Sequence, residues 1–124
     1  MNQKILIVDD NEKNRKLLRV ILQSTGYETI ESENGEDGVR MAKENLPAFI
    51  LMDIQMPVMG GTEALKQIRS DETTAKIPVI ALTSYAMTGD RDKFLAEGFD
   101  GYISKPLKTS ELMDIIKKYL KESE

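Results

Sequence analysis

A chain of 124 residues, 40% hydrophobic and 31% charged, has room for one buried core and not for a second beside it. It contains no cysteine and no histidine, which excludes disulfides, thiolate and imidazole metal sites, a histidine general base and any phosphohistidine on this chain. A net charge of -4 argues against a duplex nucleic-acid footprint, which needs clustered Lys and Arg.

Met1-Asn2-Gln3-Lys4 leads into a strand without a signal-peptide core, and no apolar run approaches membrane-spanning length, so a cytoplasmic location is expected. Lys4 to Val8 reads as the first strand and ends in Asp9-Asp10. Asn11 is placed to cap a helix from Glu12 to about Thr25, with Leu17, Leu18, Ile21 and Leu22 at helical spacing and Gly26 as its stop. A short, polar second strand near Glu28 to Glu31 suits a sheet edge. Asn34-Gly35 turns into a helix whose apolar face is Val39, Ala42 and Leu46 and which Pro47 ends. Phe49-Ile50-Leu51-Met52 is a continuous apolar run, as in a strand buried on both faces, and it breaks off in Asp53. Pro57 and Gly60-Gly61 then force a turn before the next helix.

That third helix runs from Gly61 to about Ser70 through Ala64, Leu65 and Ile68, and a polar loop follows from Asp71 to Lys76. Val79-Ile80-Ala81-Leu82 is the fourth strand and ends in Thr83-Ser84. A helix from roughly Thr88 to Glu97 stops at Gly98, and Gly101-Tyr102-Ile103 is a fifth strand ending in Ser104-Lys105-Pro106. Thr109 or Ser110 caps the last helix, which carries Leu112, Ile115, Ile116, Tyr119 and Leu120 on one face.

Five strand-helix alternations predict an α/β fold: a doubly wound, five-stranded parallel sheet of flavodoxin-like topology with helices on both faces, residues 1–124 forming a single domain. In such sheets ligand groups gather outside the carboxyl ends of the strands, where strand order reverses. The second strand has no polar terminal group comparable to the others and is the candidate outer strand. The order is then 2-1-3-4-5, which sets Asp9, Asp10 and Asp53 side by side.

Three carboxylates against the single ammonium of Lys105 leave about two uncompensated negative charges, which repel by several kcal/mol at low effective dielectric. A cation is expected there. Oxygen-only donors favour a hard divalent ion, Mg2+ with Mn2+ as a substitute. Asp53 is the candidate nucleophile, since a carboxylate that attacks phosphorus forms an acyl phosphate. Asp10 and Asp53 would hold Mg2+ against one phosphoryl oxygen, Lys105 would pair with a second, and the Thr83 hydroxyl would bond the third. Singly, each residue has a plainer reading: Asp9-Asp10 as a helix cap, Asp53 in a turn, Thr83 as a strand-end hydroxyl, Lys105 as a solvated lysine and Tyr102 as an aromatic at the core's edge. Their joint placement at the ends of four strands is what points to a site.

Through Asp9-Asp10, Met52-Asp53-Ile54-Gln55-Met56-Pro57, Ala81-Leu82-Thr83-Ser84 and Tyr102-Ile103-Ser104-Lys105-Pro106, in family order and spacing, the chain resembles a response-regulator receiver domain of the CheY-like superfamily. Ala86-Met87-Thr88-Gly89-Asp90 and Gly101 to Leu107 are also similar to stand-alone DivK-type receivers and to receiver modules of hybrid kinases. The resemblance spans essentially the whole chain. It implies Asp53 as phosphoacceptor, Asp9 and Asp10 as the acidic pair of a Mg2+ site, and the Gln55 backbone carbonyl as a third protein ligand. It further implies Thr83 as the switch hydroxyl, Lys105 as the phosphate-binding lysine, Tyr102 as the aromatic that swings inward, and commonly a cis bond before Pro106. Gln55 and Tyr85, flanking the phosphoryl site, would tune dephosphorylation. Lys108 departs from the family, where many members carry a helix-capping hydroxyl.

The function so implied is a phosphoryl switch, not an enzyme acting on other substrates: it catalyses only its own phosphorylation and dephosphorylation. A histidine kinase or histidine phosphotransfer protein would be the donor. The fourth helix, fifth strand and fifth helix, including Tyr85, Ala86, Met87 and Tyr102, would form the face that reports to a protein target. No residues are left for an output domain, so output is expected to pass through another protein, with neither nucleic acid nor membrane as partner. One rival is a Mg2+-dependent phosphohydrolase with an aspartyl nucleophile, which usually sets two aspartates one residue apart after the first strand and carries a substrate cap. A flavin-binding domain is another, but Asp9-Asp10-Asn11-Glu12 would repel a flavin phosphate and no glycine-rich phosphate loop follows.

Overall fold

A computed structural model describes residues 4–54, 59–83, 90–104 and 108–121. In chain order the elements are β1 (Lys4–Val8), α1 (Glu12–Ser24), β2 (Glu28–Ser32), α2 (Gly35–Asn45), β3 (Phe49–Asp53), α3 (Gly61–Ser70), β4 (Val79–Thr83), α4 (Asp90–Glu97), β5 (Gly101–Ser104) and α5 (Thr109–Lys121). The strands form one parallel sheet in the order β2-β1-β3-β4-β5. This is the expected doubly wound topology, with β1 and β3 adjacent.

Alternation along each central strand sends side chains to opposite faces. Leu6, Val8, Ile50, Met52, Val79 and Ala81 meet α2, α3 and α4 through Val39, Ala42, Leu65, Ile68 and Phe94. Ile5, Ile7, Phe49, Leu51, Ile80 and Leu82 meet α1 and α5 through Leu18, Leu22, Leu112 and Ile116. Covering both faces explains why β1, β3 and β4 are continuous apolar runs, whereas the polar β2 takes an edge. Among the described residues no helix is long and apolar enough to cross a membrane.

Several local expectations need correcting. Leu17 does not join the buried stripe of α1 but is 45% exposed, because Leu18 and Leu22 fix the inward direction and Leu17 lies a full helical step of about 100° away. Leu46 is not on the apolar face of α2. It is the C-cap, with φ 47° and 55% exposure, turned out of the helix ahead of Pro47. Neither Thr109 nor Ser110 caps α5, since Thr109 is already helical and the Leu112 N–H donates to the Lys108 carbonyl at 3.2 Å. The side chains of Tyr119 and Leu120, and Thr88 at the expected start of α4, lie outside the described residues. The loop from Asp71 to Lys76 is more ordered than its polarity suggests: Thr74 is fully buried and its hydroxyl donates to the Ile68 carbonyl at 2.6 Å.

Candidate functional site

The first aspartate of the pair is held by hydrogen bonds at its N–H, its carbonyl and its carboxylate. Its N–H donates to the Ser32 carbonyl at 3.1 Å, continuing the β1–β2 ladder past the end of β1. Oδ1 of Asp9 accepts from the Asn11 N–H at 2.9 Å, and the Asp9 carbonyl accepts from Nη1 of Arg15 at 2.8 Å. Asp9 is fully buried while Asp10, the next residue, faces solvent. Asn11 starts α1 as expected, its side-chain oxygen accepting from the Asn14 N–H at 3.1 Å.

Asp53 closes β3 opposite Leu82 and is 4% exposed. The chain leaves the strand on a fixed course, because the Ile54 N–H donates to the Leu82 carbonyl at 3.1 Å and the Gly61 N–H donates to the Ile54 carbonyl at 3.0 Å. Gly61 is required by space: a Cβ there would lie 2.4 Å from the Asp53 carbonyl oxygen. Thr83, 1% exposed, ends the neighbouring strand opposite Ser104.

These paths bring one carboxylate oxygen each from Asp9, Asp10 and Asp53 to within 4.8 Å of one another. At that separation each pair of charges repels by roughly 3.5 kcal/mol if the effective dielectric is about 20. Oxygens sharing one octahedral Mg2+ lie at most about 4.2 Å apart, twice the metal–ligand distance. Less than about 1 Å of side-chain movement, or one water interposed at a carboxylate, would close the three residues on such an ion. The donor set is all oxygen and all anionic, which fits a hard divalent cation.

Tyr102 lies in β5 opposite Ala81, half-buried, with its ring centroid 6.4 Å from that of Phe94 in α4, which in turn stacks edge-on to Phe99 at 5.9 Å. Lys105, Gln55 and Tyr85 lie outside the described residues, so the structure brings together Asp9, Asp10 and Asp53 with Thr83 at the adjoining strand end. Arg15 was not singled out from the sequence. It supports the Asp9 carbonyl while its guanidinium sits 3.4 Å from Glu31 and 3.6 Å from Glu33, and Arg19 joins Glu31 at 2.7 Å. The available signal was its place one turn after the cap Asn11, on the side of α1 that meets β2.

Residues 5–117 match the family described as the response regulator receiver domain. The polar-differentiation response regulator DivK of Brucella anthropi is 42% identical over 120 residues, 97% of this chain and 98% of that protein. Among solved structures, the receiver domain of a Pseudomonas aeruginosa sensor histidine kinase is 37% identical with a TM-score of 0.88, covering 97% of this chain and 98% of the other; it holds a magnesium ion in its active site cleft. A Saccharomyces cerevisiae response-regulator receiver domain, crystallised with its histidine phosphotransfer protein, is 30% identical with a TM-score of 0.86 over 95% of this chain and 88% of that one. With its parallel sheet in receiver order and its acidic triad at the β1–β3 edge, the chain belongs to the response regulator receiver domain family of two-component signalling.

Proposed function

We propose that residues 1–124 act as one phosphoryl switch in which Asp53 is the phosphoacceptor and a bound Mg2+ is required for transfer. The observation that carries this reading is the convergence of Asp9, Asp10 and Asp53 at the carboxyl edge of the sheet. A carboxylate oxygen of Asp53 attacks phosphorus; an O–P bond forms, the P–N bond of a phosphohistidine on the donor protein breaks, and the imidazole leaves. Asp9, Asp10, Asp53 and the Gln55 backbone carbonyl would hold the ion, which when bound neutralises charge on the phosphoryl oxygens. Mn2+ would serve in its place. The Lys105 ammonium pairs with a second phosphoryl oxygen and the Thr83 hydroxyl donates to the third. Gln55 and Tyr85 control how readily water reaches the acyl phosphate.

Once phosphorylated, Thr83 is drawn toward the phosphoryl group and Tyr102 fills the space vacated. Contact of Tyr102 with Phe94 links this movement to α4. The resulting bias between two conformations is about 1 to 3 kcal/mol and is read by a protein target at the surface of α4, β5 and α5. A histidine kinase or histidine phosphotransfer protein is the donor, as the yeast complex suggests. The chain turns over no other substrate, binds neither nucleic acid nor membrane, and works in the cytoplasm.

Intact-mass measurement after incubation with acetyl phosphate tests the central step. One phosphoryl adduct is expected on the wild type with Mg2+ or Mn2+, none with a chelator, and none on Asp53→Asn. An adduct of equal yield on Asp53→Asn, or none on the wild type, would overturn the assignment.

A further inference from the structure

The turn between β2 and α2 contributes no residue to the acidic cluster, yet it is hydrogen-bonded both to the loop that opens at Asp9 and to the loop that follows Asp53. The Asp9 N–H donates to the Ser32 carbonyl at 3.1 Å, and the Gly35 N–H donates to the Met59 carbonyl at 3.2 Å. Asp9 opens the first acidic loop; Met59 lies in the loop that follows Asp53. The segment from Ser32 to Gly35 thus spans from one to the other.

Its own bonds make it stiff. Ser32 is 2% exposed and its hydroxyl donates to the Asn34 carbonyl at 2.9 Å, while the Asn34 side-chain oxygen accepts from the Asp37 N–H at 2.8 Å as the N-cap of α2. The approach at Gly35 leaves no slack. A Cβ built there would lie 2.4 Å from the Met59 carbonyl oxygen and 3.1 Å from the carbonyl carbon, backbone atoms that cannot rotate aside. Met59 stands two residues before Gly61, whose N–H donates to the carbonyl of Ile54, the residue after Asp53, so a shift of Met59 reaches the end of β3 through that bond.

We infer that Ser32 to Gly35 is a splint fixing the separation of the loop that opens at Asp9 from the loop that follows Asp53, and that Gly35 and Ser32 are positioning residues for the divalent ion although neither touches it. This rests on the magnesium reading above. Partners of metal ligands commonly change affinity by 10- to 100-fold when altered. Binding should also act back on the splint: an ion that favours the closed arrangement must suppress opening of the Gly35–Met59 bond.

The test is calorimetric titration with Mg2+ at a temperature where every variant is folded, beside amide exchange of the wild type. Gly35→Ala is expected to raise the Mg2+ dissociation constant about tenfold and Ser32→Ala a fewfold. Leu22→Ala, which opens a cavity under α1, should lower stability and leave that constant unchanged. With Mg2+ at ten times its dissociation constant, exchange of the Gly35 amide should slow about tenfold while that of the Thr25 amide, at the far end of α1, slows much less. Wild-type affinity in Ser32→Ala and in folded Gly35→Ala, or equal slowing of both amides, would overturn the splint. Should Gly35→Ala fail to fold, Ser32→Ala and the two amides decide. A wild type that binds no Mg2+ would overturn the magnesium reading and the splint together, whereas binding by the wild type with unaffected variants overturns the splint alone.

Discussion

Leu46 adopts a left-handed conformation that non-glycine residues rarely take, as the C-cap of α2, where its N–H donates to the Ala42 carbonyl at 2.9 Å. Its side chain is more than half exposed, so little packing would be lost with it. Leu46→Gly is therefore expected to stabilise the fold by about 0.5–1 kcal/mol in urea denaturation. Asp71 makes a second local prediction. The Thr73 hydroxyl donates to Oδ1 at 2.7 Å and the Thr73 N–H at 2.9 Å, and these bonds, with Lys43 nearby, hold the Asp71 carboxyl below its ordinary value of 3.8. A carboxyl depressed in the folded state contributes stability in full above its unfolded pKa, and that contribution disappears as pH falls through the lower folded value. Urea midpoints should show Asp71→Asn trailing the wild type by a constant margin near neutrality, with the gap narrowing below about pH 4.

At the end of the sheet away from the acidic cluster, Arg69 ties three segments together. Nη1 donates to the Ala75 carbonyl at 3.0 Å and the Ile77 carbonyl at 2.6 Å, and Nη2 donates to the Gly98 carbonyl at 3.0 Å and to Oδ2 of Asp100 at 2.7 Å. Oδ2 of Asp100 also accepts from the Val79 N–H at 2.8 Å, so the end of α3, the start of β4 and the turn into β5 share one knot. Arg69→Met, which keeps the apolar stem, is expected to cost about 2–4 kcal/mol by urea denaturation, and Arg69→Lys to restore only part, because a point charge cannot fork to several carbonyls. Mg2+ affinity should be unchanged in both. Sequence reading could not see this knot, because nothing local to Arg69 announces a partner 31 positions on. The strands were legible for the opposite reason. Ile5 to Val8, Phe49 to Met52 and Val79 to Leu82 are buried on both faces, and burial of that kind is written as unbroken apolar runs.

For the molecule as a whole, the cost of gathering three carboxylates at one edge is set by solvent and by whatever cation neutralises them. Asp10 faces water, so screening leaves only part of its repulsion, and Asp10→Asn should stabilise the metal-free protein by up to about 1 kcal/mol. Mg2+ at 100 times its dissociation constant should add about 2.7 kcal/mol to the wild type and far less to Asp53→Asn, a contrast that thermal melts with and without the ion would read. The acidic residues were legible because each ends a strand, where topology alone predicts convergence. Arg15, Ser32 and Gly35 were not, since the contacts that matter run to main-chain atoms of distant segments, which composition and periodicity do not record.

The outer position of β2 bears on how this chain behaves when crowded. An unpaired strand flank invites a neighbour to add on and extend the sheet. Here Glu28 projects into solvent and Glu31 is engaged by two arginines from α1, so an approaching strand would meet fixed charge where it needs a flat, apolar ribbon. The same residues that leave β2 unattractive as a core strand also make its free flank a poor template for an added strand.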